Sequence, residues 1–489
     1  MKKSLSLLSI FGICILSSCS RNFAFINFKS DSSISEDSSS FNDSSNINSS
    51  QDNSSSSSSS EYQEEVEYIN LKEATPVKDV HDQNYYLNGC PTIGDVKVLV
   101  IPVEFSDLTA TSRNCSIDVL KRAFNSKTMD QLIYPSVASY YEESSNNQLH
   151  LTFDVLDKWY KPSHPSTYYL GKGDNASMDQ DILEEILTQI DSSINFMEYN
   201  KERDQNGTID AIVMINTLTI DTTGKEILRW AYRYWNQKAD RNGYYYMHDN
   251  VYANDYLWAS YDFLRETDNS FNGSIPNNTY TFIHEFGHVL GADDYYDYEG
   301  KNAPLKSLDV MDSTFGDHNP YSKFNYGWIT SSRRVNTLTS TKVKLKEFTS
   351  SGDTLILAND FDKAKGAYQE YYVLMYYRHM GLNKGYNNTK YFNSEGIVMY
   401  HVNATLKKFT WYGQSYYDVL YTNSSDDAYD LIELVDNSQR TILNKSNYIF
   451  KKGQKSPKVT MDNNKALNYQ FEVDSLNDNE AILTISKIS

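Results

Sequence analysis

One short segment constrains this chain more than any other: residues 281–294 read Thr-Phe-Ile-His-Glu-Phe-Gly-His-Val-Leu-Gly-Ala-Asp-Asp. Positions i and i+4 share a helix face, so His284 and His288 can direct both imidazoles at one metal ion. Gly291 lies one turn later, where helices often end in a backbone conformation that a Cβ disfavours. Asp294 can then return as a third, oxygen ligand. The pattern predicts a buried helix, a sharp turn and a metal site.

The ligand set indicates catalysis rather than structure. Two imidazoles and one carboxylate leave a fourth tetrahedral position open, as in catalytic zinc sites. Glu285 follows the first histidine and is placed to take a proton from a metal-activated water. Gly287 is about 1 kcal/mol worse than Ala in a helix, which indicates a close neighbour or the metal. The alternative is a surface helix with two ordinary histidines. Against it, the surrounding side chains are apolar or aromatic: Tyr280, Phe282, Ile283, Phe286, Val289 and Leu290.

Length and charge limit the class of protein. The 489 residues suffice for two or three domains, and 39% of them are hydrophobic, enough for real cores. A formal charge of −19 argues against nucleic acid or an anionic membrane surface as the partner. Such an acidic surface suits a secreted or surface-held protein.

The N-terminus has the features of a targeting segment. Two lysines precede an apolar run over residues 5–16, and Leu-Ser-Ser-Cys19 resembles a bacterial lipobox. We predict a lipoprotein signal over residues 1–19 with Cys19 as the lipidation site; the alternative is a plain signal peptide. Residues 20–60 are mostly Ser, Asp and Asn, which predicts a disordered tether. The expected location is the bacterial cell surface, lipid-anchored to the outer face of the membrane.

Hydrophobic periodicity divides the remainder. We predict a lead-in over residues 61–94, a metal-binding domain over 95–334 and a β-rich, sandwich-like domain over 335–489. The predicted elements of the second part are strands at 96–103, 149–159 and 209–215, and helices at 115–124, 134–143 and 178–190. A long connection over 217–275 is expected to be functional or to hold strands of its own. Strand patterns in the third part cover 342–348, 354–358, 370–377, 396–402, 469–473 and 481–488.

Several segments together resemble the M6 peptidases, the immune inhibitor A family of metzincin-type zinc proteases. Residues 98–107 (Val-Leu-Val-Ile-Pro-Val-Glu-Phe-Ser-Asp) are similar to the strand that opens that domain. Residues 136–145 resemble its Ser-Tyr segment, and 284–297 its zinc helix and acidic loop. Residues 308–312 (Leu-Asp-Val-Met-Asp) resemble the Met-turn, and 316–328 the segment that closes the domain.

The resemblance implies an α+β fold with a metzincin-like catalytic domain, a twisted sheet plus a zinc-binding helix. It also implies that Met311 is the Met-turn methionine and that the chain is an extracellular endopeptidase. Many metzincins have a third histidine where this chain has Asp294, so His318 is a rival ligand. Some place a tyrosine where this chain has Ser313; Tyr321 or a tyrosine of the 295–298 loop is expected to replace it as oxyanion donor.

Further ligand candidates are weaker. Asp204, Asn206 and Asp210 resemble half of a calcium loop, although a glycine turn leading into a strand explains them equally well. Asp293 and Asp297 either bind calcium or face solvent. Cys90 and Cys115 either form a disulfide or remain free thiols, and Cys90 could alternatively cap the zinc.

These features predict a lipid-anchored zinc endopeptidase that acts on proteins or peptides. Zn²⁺ is the expected cofactor and Ca²⁺ a second possible one. The alternative function is a non-catalytic surface adhesin or nutrient-binding lipoprotein with a vestigial zinc site. An intact Glu285 argues against such decay, because it has little purpose in a purely structural site.

Overall fold

The structure is a computed structural model, which shows a mixed α and β fold built mostly of sheets with few helices. It describes residues 64–71, 90–171, 178–200, 208–221, 226–235, 247–249, 251–253, 255–265, 276–298, 303–386, 390–411, 414–424, 429–437 and 448–488. Among these residues, no helix combines the length and the apolar character needed to cross a membrane. The predicted signal, Cys19 and the tether lie outside the described residues, as do Asp204 and Asn206.

A five-stranded sheet forms the frame of the N-terminal half. Its order is β3-β2-β5-β9-β6, in which only the pairing of β6 with β9 is antiparallel. Parallel strands covered on both faces consist of apolar runs, and every residue of β5 and β9 is buried. The bounds are β2 Gly94–Val103, β3 Leu149–Val155, β5 Ile212–Asn216, β6 Tyr232–Trp235 and β9 Asp255–Ser260.

Helices cover both faces of this sheet. One face, with Leu99, Ile101 and Met214, packs against the apolar side of α4. The other face, with Val98 and Val100, belongs to the core that contains the histidine-bearing helix α5. The helices are α1 Ile117–Asn125, α2 Val137–Ser144, α3 Ser166–Leu170, α4 Met178–Ile190, α5 Tyr280–Val289, α6 Pro320–Asn325 and α7 Phe348–Ser351. Short 3-10 helices cover Phe196–Tyr199, Ile227–Arg229, Tyr261–Arg265 and Gly381–Asn383.

A six-stranded sheet of order β1-β10-β12-β13-β14-β17 dominates the C-terminal half. Its strands are β1 Val66–Asn70, β10 Ser331–Val335, β12 Leu355–Leu357, β13 Glu370–Tyr377, β14 Gly396–Asn403 and β17 Ile432–Leu434. A three-stranded sheet, β11-β19-β18, packs over it and forms a shared core. That sheet consists of β11 Ser340–Lys346, β18 Tyr469–Leu476 and β19 Glu480–Lys487.

The six-stranded sheet has two buried faces. Leu374, Ile397 and Met399 face the three-stranded sheet, whereas Val373 and Val398 belong to the same core as α5. The β-rich part therefore packs directly against the core that contains α5 rather than standing apart from it.

The smaller sheets are β4 Thr208–Ile209 with β8 Val251–Ala253 and β7 Met247–His248, and the hairpin of β15 Leu406–Trp411 with β16 Gln414–Val419.

Candidate metal centre

Helix α5 is buried, as its sequence predicts. Phe286 contacts Phe153 of β3 with ring centroids 5.2 Å apart, and Phe282 contacts Phe124 of α1 at 5.4 Å. These contacts anchor one side of the helix in the core. The chain then turns at Gly291, whose φ of +101° is a conformation that L side chains rarely adopt. The turn brings residues 292–298 back alongside the helix.

The two histidines and Asp294 converge as the motif predicts. Nδ1 of His284 lies 2.8 Å from the carbonyl oxygen of Val310, and Nδ1 of His288 lies 2.7 Å from that of Ala292. Each Nδ1–H donates to a carbonyl, which leaves Nε2 as the ligating nitrogen. The Nε2 atoms of His284 and His288 lie 3.1 Å and 3.2 Å from Oδ1 of Asp294.

These three residues suit a metal ion chemically and geometrically. Their ligand atoms all lie within 4.8 Å of one another. Ligand atoms around a tetrahedral zinc are roughly 3.4 Å apart, because each bond is about 2.1 Å long. The two backbone carbonyls fix the imidazole orientation without any ion, so the donor set is already arranged. The structure thus brings together His284, His288 and Asp294, and their role as ligands remains a prediction.

A tyrosine hydroxyl supports Asp294 from the other side. The hydroxyl of Tyr298 donates to Oδ2 of Asp294 over 2.6 Å, while Oδ1 faces the histidines. Burial raises the pKa of Asp294, but His288 and His284 lower it more, so the net pKa is well below the ordinary value. This carboxylate is therefore ionised and oriented, as a metal ligand must be.

Glu285 lies beside this cluster without belonging to it. The residue is 8% exposed, and the cluster of ligand atoms consists of the other three residues. Burial raises the pKa of Glu285 above its ordinary value, and Asp294 raises it further, while His284 and His288 lower it. A carboxylate with a raised pKa is a better proton acceptor at neutral pH than an ordinary one.

Met311 lies directly beneath the helix at Gly287. A Cβ on Gly287 would come 2.5 Å from Sδ of Met311, a separation that real Cβ atoms do not show. The backbone of Met311 is also held by a hydrogen bond, because its carbonyl accepts the N–H of Tyr295 over 2.9 Å. The close neighbour that the sequence indicated for Gly287 is this methionine, and its role as a Met-turn residue remains a prediction.

Two residues that support this turn were not singled out from sequence. Asp309 is fully buried, accepts the Met311 N–H at 2.9 Å and accepts from Nδ2 of Asn319 at 2.9 Å. Tyr391 follows β13 in the chain, and its hydroxyl accepts a hydrogen bond from the N–H of Val310. Asp309 belongs to the Leu-Asp-Val-Met-Asp segment, so the sequence offered a signal for it. The tyrosine gave no signal, because it lies eighty-one residues away.

Other predicted site residues lie apart from the cluster. Tyr321 on α6 is buried, and burial raises its pKa, as do Tyr295, Tyr368, Tyr371 and Asp293. His318 is enclosed by the rings of Tyr140, Tyr141, Tyr326 and Trp328. Neither is part of the ligand cluster found among the described residues. Tyr298 and Tyr296 of the 295–298 loop both interact with Asp294, and the role of a tyrosine from this loop as oxyanion donor remains a prediction.

Cys90 and Cys115 form no disulfide with each other, so the structure has the thiol alternative. Neither of the two ligand clusters in the described part of the chain includes a cysteine or Asp210. Asp210 is buried between β4 and β5, but the residues that would complete its calcium loop are not described. Calcium binding remains a prediction.

His284, His288 and Asp294 form a candidate metal site, and comparison with known proteins points to metalloproteases. No family model matches the chain. Two curated proteins from strains of Vibrio cholerae serotype O1, both named pre-pro-metalloprotease PrtV, are 25% identical to it over 210 residues. The match covers 36% of this chain and 21% of each relative, so the chain spans about a fifth of their length. This distant similarity supports a relationship to metalloproteases and, with the His-His-Asp cluster, a bound metal ion.

Proposed function

We propose that the chain is a zinc-dependent endopeptidase with a metzincin-like catalytic domain, related to the M6 peptidases. One observation carries the proposal: Nε2 of His284 and of His288 converge on Oδ1 of Asp294, with Glu285 buried beside them. The distant metalloprotease relatives support the same reading. A vestigial site in an adhesin would have no need for a buried, uncoordinated glutamate there.

The residues of the site have separate roles in the proposed peptide hydrolysis. His284, His288 and Asp294 would hold a zinc ion, which would supply the Lewis-acid chemistry for polarising a carbonyl and lowering the pKa of a water. Glu285 removes the proton from the attacking water at a carboxylate oxygen and delivers it to the leaving amine. Val310 and Ala292 carbonyls hold the imidazoles in place, and Tyr298 does the same for Asp294. Burial raises the pKa of Glu285, which suits this carboxylate to accepting and returning a proton near neutral pH.

Protein or peptide substrates at the bacterial surface are part of this proposal. The lipobox at Cys19 and the Ser-rich stretch over residues 20–60 support a lipid anchor and a flexible tether. The acidic composition supports a partner other than nucleic acid. Replacing Cys19 by Ser is expected to release the protein from the membrane fraction. A Cys19→Ser variant that stays wholly with membranes would contradict the lipoprotein proposal.

Zinc dependence is tested with the purified full chain and an unfolded protein substrate. Cleavage is expected to stop when a chelator removes the metal and to return when zinc is restored in slight excess. His150→Ala, which removes a half-exposed histidine on the edge strand β3 and outside the ligand clusters, is the matched control and should behave as wild type. A zinc-loaded, folded chain that cleaves no unfolded protein would contradict the proposed function and favour the adhesin alternative.

A further inference from the structure

A second group of metal-ligand side chains lies in the C-terminal half. One ligand atom each from Glu370, His401 and Asp462 lies within 4.8 Å of the others. Glu370 begins β13, His401 is in β14, and Asp462 is on the loop that precedes β18. Nitrogen and carboxylate donors in this number match zinc and related divalent ions. The proposed peptidase function does not use this cluster.

The strand register places these side chains on one face of the sheet. His401 pairs with Tyr372 on one side and with Glu433 on the other. Glu370 lies two residues from Tyr372, so its side chain points to the same face and is a diagonal neighbour of His401. This face packs against the three-stranded sheet, whereas the opposite face belongs to the core of α5. The cluster is therefore separated from the first site by the sheet itself.

His401 is held in the manner of a metal-ligating histidine. Its Nδ1 lies 2.8 Å from Oε1 of Glu433, and its Nε2 lies 2.9 Å from Oε1 of Glu370. Ligating histidines usually donate the second ring N–H to a carboxylate, which orients the ring and increases its basicity. The ring of Tyr372 stacks on the imidazole with centroids 4.6 Å apart and planes 19° apart. Stacking and the Glu433 contact together fix Nε2 towards Glu370 and Asp462.

The third ligand is also oriented by its neighbours. Nδ2 of Asn403 donates to Oδ2 of Asp462. The hydroxyl of Tyr429 donates to the Asp462 carbonyl over 2.9 Å, and the Asp462 N–H donates to Glu370 over 2.6 Å. Three segments, β13, β14 and the chain at Tyr429, thus contact Asp462. Glu433 is 47% exposed, which leaves the cluster open to ions from solvent.

We propose that Glu370, His401 and Asp462 form a second divalent-metal site, of the zinc class, with Glu433 as the partner of the imidazole. The ion would join β13 and β14 to the loop before β18. Such an ion would tie the loop that carries Asp462 to the six-stranded sheet that carries Glu370 and His401. Three protein ligands leave the fourth position of a tetrahedral ion to water.

Zinc stoichiometry tests the proposal directly. The full chain is stripped with a chelator, reloaded with zinc, freed of excess ion and measured by inductively coupled plasma mass spectrometry. Wild type is expected to hold two zinc ions per chain, His401→Ala one, and His284→Ala one. Asp462→Asn, which is nearly isosteric, is expected to hold one as well and covers the case in which His401→Ala fails to fold. His379→Ala, which removes a histidine just after β13 and outside the cluster, should keep two.

A thermal readout separates this site from the first. In the His284→Ala background, zinc is expected to raise the unfolding midpoint still, because an ion that binds only the folded state stabilises it. Adding His401→Ala should abolish that rise. A single zinc in wild type that is lost with His284→Ala overturns the proposal and leaves His401 as a proton-bridged partner of two glutamates. Two ions retained in both His401→Ala and Asp462→Asn overturn it equally.

Discussion

Tyr298 is the residue whose role in the metal centre can be tested most cleanly. Its hydroxyl donates to the Asp294 oxygen that faces away from the histidines. Loss of such an outer contact typically weakens metal binding about 10- to 100-fold. Tyr298→Phe is therefore expected to raise the zinc dissociation constant by roughly tenfold or more, as measured by competition with a chelating dye.

Tyr321→Phe is the matched control, since it deletes the hydroxyl of another buried tyrosine on a nearby segment. Its zinc affinity should equal that of wild type. If Tyr321→Phe weakens zinc binding and Tyr298→Phe does not, the assigned support of Asp294 is wrong. A fall in turnover at unchanged zinc affinity in Tyr321→Phe would support its predicted part in catalysis.

Asp294 and His318 are the competing third ligands. His318 is 1% exposed, and neither of its ring nitrogens has a hydrogen-bond partner among the described residues. Burial lowers its pKa, so it is a neutral ring packed among aromatic rings. Asp294→Ala is expected to lose most of the zinc at the first site, while His318→Ala keeps it. Zinc analysis of both variants that gave the reverse order would assign the ligand to His318.

Asp309 links the turn beneath the helix to the pH dependence of stability. Burial raises the pKa of its carboxyl to about 7. Because the pKa of Asp309 is higher in the folded state than in the unfolded chain, the protonated carboxyl stabilises the fold at low pH. This stabilisation is lost as the pH rises through 7. Asp309→Asn removes that titration. Between about pH 5 and pH 8, wild type should lose roughly 2 kcal/mol more unfolding free energy than the variant in urea titrations. Parallel losses in both proteins would contradict this assignment.

The residues of the motif could be predicted because their spacing is local. One helical turn relates His284 to His288, and Gly291 permits the turn that returns Asp294. The residues that contact the site from distant parts of the chain could not be predicted in the same way. Tyr391 reaches Val310 across eighty-one residues, and no local pattern reports such a contact.

At the scale of elements, helix α5 packs so closely on Met311 that Gly287 has no room for a side chain. Gly287→Ala would improve intrinsic helix propensity by about 1 kcal/mol. The added Cβ would nevertheless meet Met311 Sδ at 2.5 Å and the Tyr141 hydroxyl at 3.3 Å. We expect a net destabilisation of about 1–3 kcal/mol, because overpacking a buried contact shifts its neighbours.

Met311→Ala provides the control for that prediction. Removing the thioether should cost stability by itself, since Met311 is fully buried. If the clash is the cause, the double variant is less destabilised than the sum of the two single variants. Additive losses in denaturant unfolding would show that Met311 does not set the requirement for glycine.

Periodicity predicted some elements well and missed others for identifiable reasons. The helix at 178–190 and the strand at 370–377 have the predicted bounds, because each carries one unbroken apolar pattern. The predicted strand at 209–215 is in fact two, since β4 pairs with β8 while β5 enters the larger sheet. Strand β9, within the long connection, is buried at all six positions and so lacks the alternation that would reveal it.

At the scale of the whole molecule, the β-rich half supports the site because it packs against the core that contains helix α5. The apolar runs of β13 and β14 predicted strands, but not that both of their faces would be buried. Val373 and Val398 join the core of α5, and Tyr391 contacts the turn beneath that helix. Strand β1, from the predicted lead-in, pairs with β10 of the same sheet. Such packing depends on long-range contacts that a strand pattern does not contain.

The central claim is that a buried glutamate beside a His-His-Asp metal site performs the chemistry, and Glu285→Gln tests it most directly. The substitution keeps the shape and leaves all three ligands in place. We expect zinc content and unfolding midpoint to match wild type, and turnover on an unfolded protein to fall about 10²-fold or more. A zinc-loaded, folded Glu285→Gln that keeps more than about a tenth of wild-type turnover would contradict the account.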